Sequence, residues 1–375
     1  MKLSTRLAAA VLAVTLPAAA VAGCGAEKKR TIKAELASAG DNLKASKALS
    51  LSLRFDDHDG SLGKAAAAED GGKLSTASSS LLKGGITYTV DPAGNKTLRD
   101  LRTDDTSEQA LKRSIKDVNV ALVIRSDKAA VGELRLVAGT LYAHVDLKEI
   151  NRLATSAGGD PIDGGLDDMS SGDPSLKRAV ADVRAGKWIK VPLLDYIDKL
   201  KDLAKSFSDM GAPVEPSPST AARPDFADMG DRLYNAVKPY VKVTDANNSS
   251  SDRVLDVSVQ VRPALKAALA VMKSMSELPF ADALKDLDPS EIDKNVADGS
   301  AHGTIRLSDG HLTQLAIDLE SLRTLDPDPG KTSLKGSSVV LDVDDSAGQV
   351  SAPTNVSSFN IGDLLDSLLS GAQQA

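Results

Sequence analysis

Apolar residues first recur at helical spacing at Ile32, Leu36, Ala39 and Leu43, which predicts an amphipathic helix over 31–47. The period then drops to two. Leu49, Leu51, Leu53 and Phe55 alternate with Ser50, Ser52 and Arg54, so the apolar set shares one face of a strand. Residues 56–80, rich in Gly, Ala, Asp and Ser, are expected to form a loop with at most a weak strand. A strand follows over 86–90, stopped by Asp91-Pro92, and Thr106 with Gln109 fits a capping box ahead of a short helix ending near Lys116.

The clearest strand signal covers 118–125, 131–137 and 140–145, with Ser126-Asp127 and Ala138-Gly139 at the turns. Links this short join antiparallel neighbours, so a meander is expected. His144 alternates with Tyr142 on the side opposite Leu141, which predicts a solvated histidine. Residues 154–175, with Gly pairs and Asp-Pro breaks, are expected to be a mobile loop, followed by a short strand over 186–191 that holds Trp188. Leu194, Ile197, Leu200, Leu203, Phe207 and Met210 line a helix over 193–210, which Gly211 ends. A proline-rich linker over 212–224 leads to a helix marked by Phe226, Met229, Leu233 and Val237.

Strand periodicity returns at Leu255, Val257, Val259 and Val261, before helices at 263–275 and 282–287. Apolar runs over 303–307 and 312–319 flank Asp309-Gly310, a strong hairpin signal. Val339, Leu341 and Val343 give one more strand, and 361–369 a last amphipathic helix. Strands grouped together, with helices grouped between them, indicate an α+β fold with an antiparallel sheet packed on helices. No internal repeat is visible, and the strands on either side of the helical block fit one sheet or two.

The beginning of the chain changes the picture. Lys2 and Arg6 precede an uncharged stretch over 7–21, short of the roughly twenty residues a membrane-spanning helix needs, so it has the form of an export signal. Ala22-Gly23-Cys24 then matches a lipobox, and Cys24 is the only cysteine of the chain, so it has no disulfide partner within it. The organisation expected is a lipoprotein signal peptide over 1–23, a tether over 24–30 and a single large domain over 31–375. Loop insertions are expected near 56–75, 156–175 and 212–224. Acylation at Cys24 would hold the protein extracytoplasmically, on the outer face of the cytoplasmic membrane, since two acyl chains anchor stably where one is marginal. Ordinary cleavage after Ala20-Val21-Ala22 is the alternative.

Net charge is −7, and −9 once Lys2 and Arg6 leave with the leader. That balance, without clustered Lys and Arg, excludes a nucleic-acid footprint. Aromatic residues are 3% of the chain, too few for a stacking platform. His58, His144, His302 and His311 are scattered, with no H-E-x-x-H and no second cysteine, so neither metal nor cofactor is expected. G-x-S-x-G is absent, and the S-x-x-K matches at Ser61 and Ser80 lack their companion motifs. The acidic runs at 56–60 and 160–173 lack the full calcium-loop pattern. A non-catalytic protein is therefore expected.

The lipobox, the first helix, the Leu-alternating strand, the hairpin ending in Gly139-Thr140-Leu141-Tyr142-Ala143 and the strand Gly186-Lys187-Trp188-Ile189-Lys190-Val191-Pro192 together resemble the LppX/LprG lipoproteins of actinobacteria. The hairpin Asp309-Gly310-His311-Leu312-Thr313 and the last strand before Pro353 are similar too. The resemblance covers most of 31–356, and the three insertions depart from it. It implies a LolA-like fold, an incomplete antiparallel barrel wrapped over helices, with an apolar cavity that carries acylated lipids. Residues to line such a cavity are Leu51, Leu53 and Phe55, then Leu134, Leu136, Leu141 and Val145, then Leu255, Val257 and Val259. The same pattern serves an ordinary core, and Trp188 suits a structural anchor. The alternative function is a module that contacts another envelope protein without a small-molecule ligand.

Overall fold

The computed structural model describes residues 31–69, 75–101, 108–162, 164–166, 174–196, 226–248, 252–274, 288–327, 332–360 and 362. The leader with Cys24, Thr106, the predicted 193–210 helix beyond residue 196, the linker over 212–224, the helix expected at 282–287, and that expected at 361–369 apart from residue 362 lie outside these. The described residues form two compact units interleaved in sequence: 31–46, 51–69 and 226–345 make the first, and 47–50, 75–196 and 346–360 the second.

Twelve strands form among the described residues. They are β1 (Leu49–Asp57), β2 (Ile86–Pro92), β3 (Val118–Arg125), β4 (Ala130–Val137), β5 (Thr140–Val145) and β6 (Trp188–Val191), then β7 (Val241–Asn248), β8 (Asp252–Gln260), β9 (Ser300–Ser308), β10 (His311–Asp318), β11 (Ser337–Asp344) and β12 (Val356–Ser358). The fold is α+β and predominantly antiparallel, as the pattern predicts, and the sheet does not close into a barrel.

In the first unit the strand order is β1-β11-β10-β9-β8-β7. The register places Leu255, Ile305, Leu315 and Leu341 in one row across four strands. Leu255, Ile305 and Leu315 are buried. The helix Ile32–Ala45 buries Leu36, Ala37 and Ala39 over this apolar side, and its Glu35 accepts from Arg253 of β8. Helices Phe226–Val237 and Val261–Lys273 pack on each other and bury Leu233, Val237, Ala264 and Ala268. The opposite face carries Lys242, Thr244, Asp256, Ser258, His302 and Thr304, the alternation of an antiparallel sheet with one wet side. At the β9–β10 turn Asp309 and Gly310 have φ of 50° and 80°, the left-handed pair of a type I′ hairpin.

In the second unit the order is β12-β6-β5-β4-β3-β2. From β2 to β6 neighbouring strands are antiparallel, whereas β12 lies parallel to β6. Ala138 and Gly139 repeat the type I′ geometry with φ of 48° and 81°, and a side chain at position 139 would collide with Leu194.

Three expectations need correction. The loop read over 56–80 contains helices Ser61–Glu69 and Thr76–Gly84. The first is capped by Asp57, which accepts from the Leu62 and Gly63 N–H groups at 3.1 and 3.4 Å, and the second by Ser75. Both are rich in Ala or Ser, so they carry helix propensity or a cap without an apolar stripe. The loop read over 154–175 is instead bounded by helices Leu147–Ser156, capped by Asp146, and Pro174–Arg184. Lastly, Val261 opens a helix rather than ending a strand.

Candidate functional site

Three rows of side chains cross β2 to β6 on one face of the second unit. Ile86, Ile124, Gly132 and Val145 form the first, and Tyr88, Leu122, Leu134, Ala143 and Ile189 the second. Val90, Val120, Leu136, Leu141 and Val191 form the third. Every one of these positions is apolar, Gly or Tyr. Yet Ile86 is 45% exposed, Tyr88 39%, Ile124 41% and Leu134 44%. Gly132, beside Ile124, adds no side chain and leaves the surface recessed there.

This openness is not the wet side of an ordinary amphipathic sheet, because the other face is covered. Ala121, Val123 and Tyr142 on that face are buried. The chain around 350–358 crosses it: Val350 N–H donates to Asp91 at 3.2 Å and Arg135 Nη1 to the Ser351 carbonyl at 3.0 Å. Trp188 N–H donates to the Asn355 carbonyl at 2.8 Å. The Arg135 guanidinium lies 4.7 Å over the Trp188 ring, and His144 packs against the same ring at 5.1 Å. His144, expected to be solvated, is instead half-buried against Trp188, beside the buried Tyr142, and Trp188 anchors the covered side. A contiguous set of large exposed apolar side chains is uncommon on a soluble protein and marks a binding surface.

A polar network fixes one end of the apolar rows. Glu149 of the helix Leu147–Ser156 is buried and accepts from Ser126 Oγ at 2.5 Å and from Arg152 Nε at 2.7 Å. Arg152 also donates to Ser80 of the helix Thr76–Gly84 at 3.2 Å, and Ser80 donates to Asp127. The Arg152 hydrogen bond, with help from Ser126, holds the Glu149 carboxyl at about 2, far below the usual carboxylate range. A carboxylate stabilised this way is a poor base, so the cluster ties two helices to the β3–β4 turn rather than performing proton transfer. Among the described residues no group of three or more His, Cys, Asp or Glu could hold a metal ion, and no helix is long and apolar enough to cross a membrane.

The residues predicted to line a cavity divide between the two units. Leu134, Leu136, Leu141 and Val145 come together on the open face of the second. Leu255, Val257 and Val259, at 0, 4 and 5% exposure, are packed core of the first. Leu51, Leu53 and Phe55 alternate with Arg54, which reaches Asp342 at 2.9 Å on the polar side, so they stand on the apolar side of the first unit, with Leu53 43% exposed. Ile86, Tyr88 and Ile124 were not singled out by sequence reasoning; their period-two alternation was the available signal, and it does not distinguish an open face from a covered one.

No protein-family model and no curated protein matches the chain. Among solved structures it is similar to the crystal structure of Mycobacterium tuberculosis lipoprotein LppX, at 9% identity and a TM-score of 0.28, over 85% of this chain and 97% of that one.

Proposed function

We propose that the chain is an exported, non-catalytic lipoprotein, anchored through Cys24 to the outer face of the cytoplasmic membrane, whose second unit binds the acyl chain of a lipid on its open apolar face. The observation that carries this reading is the cluster of Ile86, Tyr88, Ile124 and Leu134, each about two-fifths exposed on neighbouring strands of a sheet whose other face is closed. Covering the remaining exposed area of each contributes about 1 kcal/mol, or about 4 kcal/mol together. That alone corresponds to about millimolar affinity. The half-buried neighbours Leu122, Leu136, Leu141 and Val145 supply the rest of the contact a carrier needs.

The test is native mass spectrometry with lipid extraction on residues 25–375, purified from an actinobacterial host; this form retains every described residue. A stoichiometric acylated ligand is the expected result. A protein that emerges clean and takes up no lipid from an offered mixture overturns the reading and leaves a contact with another envelope protein as the use of this face. Separately, substitution Cys24→Ala should move the chain out of the membrane-anchored fraction, and its retention there without acylation would refute the anchor.

A further inference from the structure

The polar side of the first unit's sheet holds a groove of about 650 Å³, within the ~300–1,000 Å³ usual for ligand pockets. Its lining repeats in register. Lys242, Ser258 and His302 stand side by side on β7, β8 and β9, and Thr244, Asp256 and Thr304 form the next row. Neighbours within a row are about 4.8 Å apart. Gly303 and Ala316 also line the groove and put no bulky side chain into it.

What sets the groove apart from a plain wet sheet face is the state of these six side chains. Elsewhere on the same face the polar groups engage one another: Arg54 and Gln314 both bind Asp342, at 2.9 and 2.7 Å, and Ser308 donates to Asp252 at 2.7 Å. In the groove, none of the six side chains has a hydrogen bond or ion pair among the described residues. The nearby carboxylate of Asp318 is committed, capping the helix Leu319–Arg323 by accepting from the Glu320 and Ser321 N–H groups.

The chemistry of the lining selects a ligand class. Lys242 and Asp256 offset each other in charge, so the rows have no net preference for an anion or a cation. Among the described residues no large apolar side chain points into the groove, since Val257 borders it by its backbone and turns its side chain to the core, so the groove gives an acyl chain little to pack against. What remains is a lattice of hydroxyls flanked by one strong donor and one strong acceptor, suited to a molecule whose own groups both donate and accept. We propose that this groove binds a neutral, hydroxyl-rich ligand, namely a short uncharged glycan. The proposal is independent of the lipid-binding face, which lies in the other unit.

The experiment is saturation-transfer NMR and calorimetry on residues 25–375 with a panel of neutral oligosaccharides that includes maltotriose, α-mannotriose and triacetylchitotriose. Inorganic phosphate and a trisaccharide of uronic acids serve as charged counterparts. A neutral glycan is expected to bind, and the pair Asp256→Asn with Thr304→Val to weaken it by about tenfold or more. Leu134→Ser, on the apolar face, should leave glycan binding unchanged. Thr304→Val alone, nearly isosteric on its strand, keeps the test valid if the pair fails to fold. Silence across the neutral panel, tighter binding of phosphate or the uronate, or binding that survives both Thr304→Val and the pair would each overturn the proposal.

Discussion

Leu134 and Leu255 are both leucines at alternating strand positions, and the structure assigns them opposite consequences on substitution. Leu134 is 44% exposed on the open face and Leu255 is fully buried. Burying a whole leucine side chain is worth ~1.5–3 kcal/mol, so the part of Leu134 still exposed can contribute about 1 kcal/mol to a bound acyl chain. Replacing Ile86, Ile124 and Leu134 together by Ser therefore removes about 3 kcal/mol from binding, a weakening of about a hundredfold. Its stability cost should be modest, since a large part of each side chain already faces water. Leu255→Ala, in contrast, should cost ~2–5 kcal/mol of stability through a cavity, while leaving the affinity of the remaining folded protein unchanged. Displacement of a fluorescent fatty acid reads the first quantity and urea denaturation the second. The reasoning fails if the triple variant binds as the parent does, or if affinity in Leu255→Ala falls as steeply as in the triple variant under conditions where both are folded.

Breaking the Glu149 network should loosen the two helices it ties together. Arg152→Ala is expected to lower stability, because it removes the hydrogen bonds to Glu149 and Ser80, and the loss is read as a lowered urea midpoint. Because the Glu149 carboxyl is held at about 2, its contribution is complete above the ordinary carboxylate value and is lost as pH falls through about 2; Glu149→Gln should flatten that acid limb, and an unchanged limb would refute it. At Gly303 an added Cβ would overlap the Ala316 carbonyl oxygen of the neighbouring strand, so Gly303→Ala should destabilise by ~1–3 kcal/mol, seen as a lowered Tm. A melting temperature equal to the parent's would mean the two strands can part there without cost.

Much of the fold is legible in the chain because turn chemistry and period-two alternation coincide. Asp309-Gly310 and Ala138-Gly139 both deliver the left-handed geometry that a two-residue hairpin needs, and the strands on either side fall where the alternation puts them. What escapes notice is local in appearance and tertiary in cause. β7 has only Val241 and Val243 as large apolar residues and is ordered by its ladder with β8. β12 is three residues long and exists through pairing with a strand far back in the sequence. The helix Pro289–Asn295 rests on the Asp288 cap, which accepts from Ser290 at 2.8 Å, more than on any apolar face. At the candidate site, alternation groups Leu134, Leu136, Leu141 and Val145 correctly on one face. It groups Leu255, Val257 and Val259 with equal clarity, although they are core, because whether another element covers a face is decided by residues distant in the chain.

The short parallel pairing of β12 with β6 bears on how the molecule can be made. The strand that closes this edge is encoded after the whole stretch 226–345, which builds the other unit. During synthesis, which proceeds from the N-terminus, β6 waits with one edge bare until residues 356–358 arrive. A chain cut after residue 345 would keep every segment of the first unit and deprive only the second of its last one, leaving the edge of β6 unsatisfied as a seed for aggregation. Separate production of either unit therefore calls for excising the segments of the other and joining what remains, not for truncation alone.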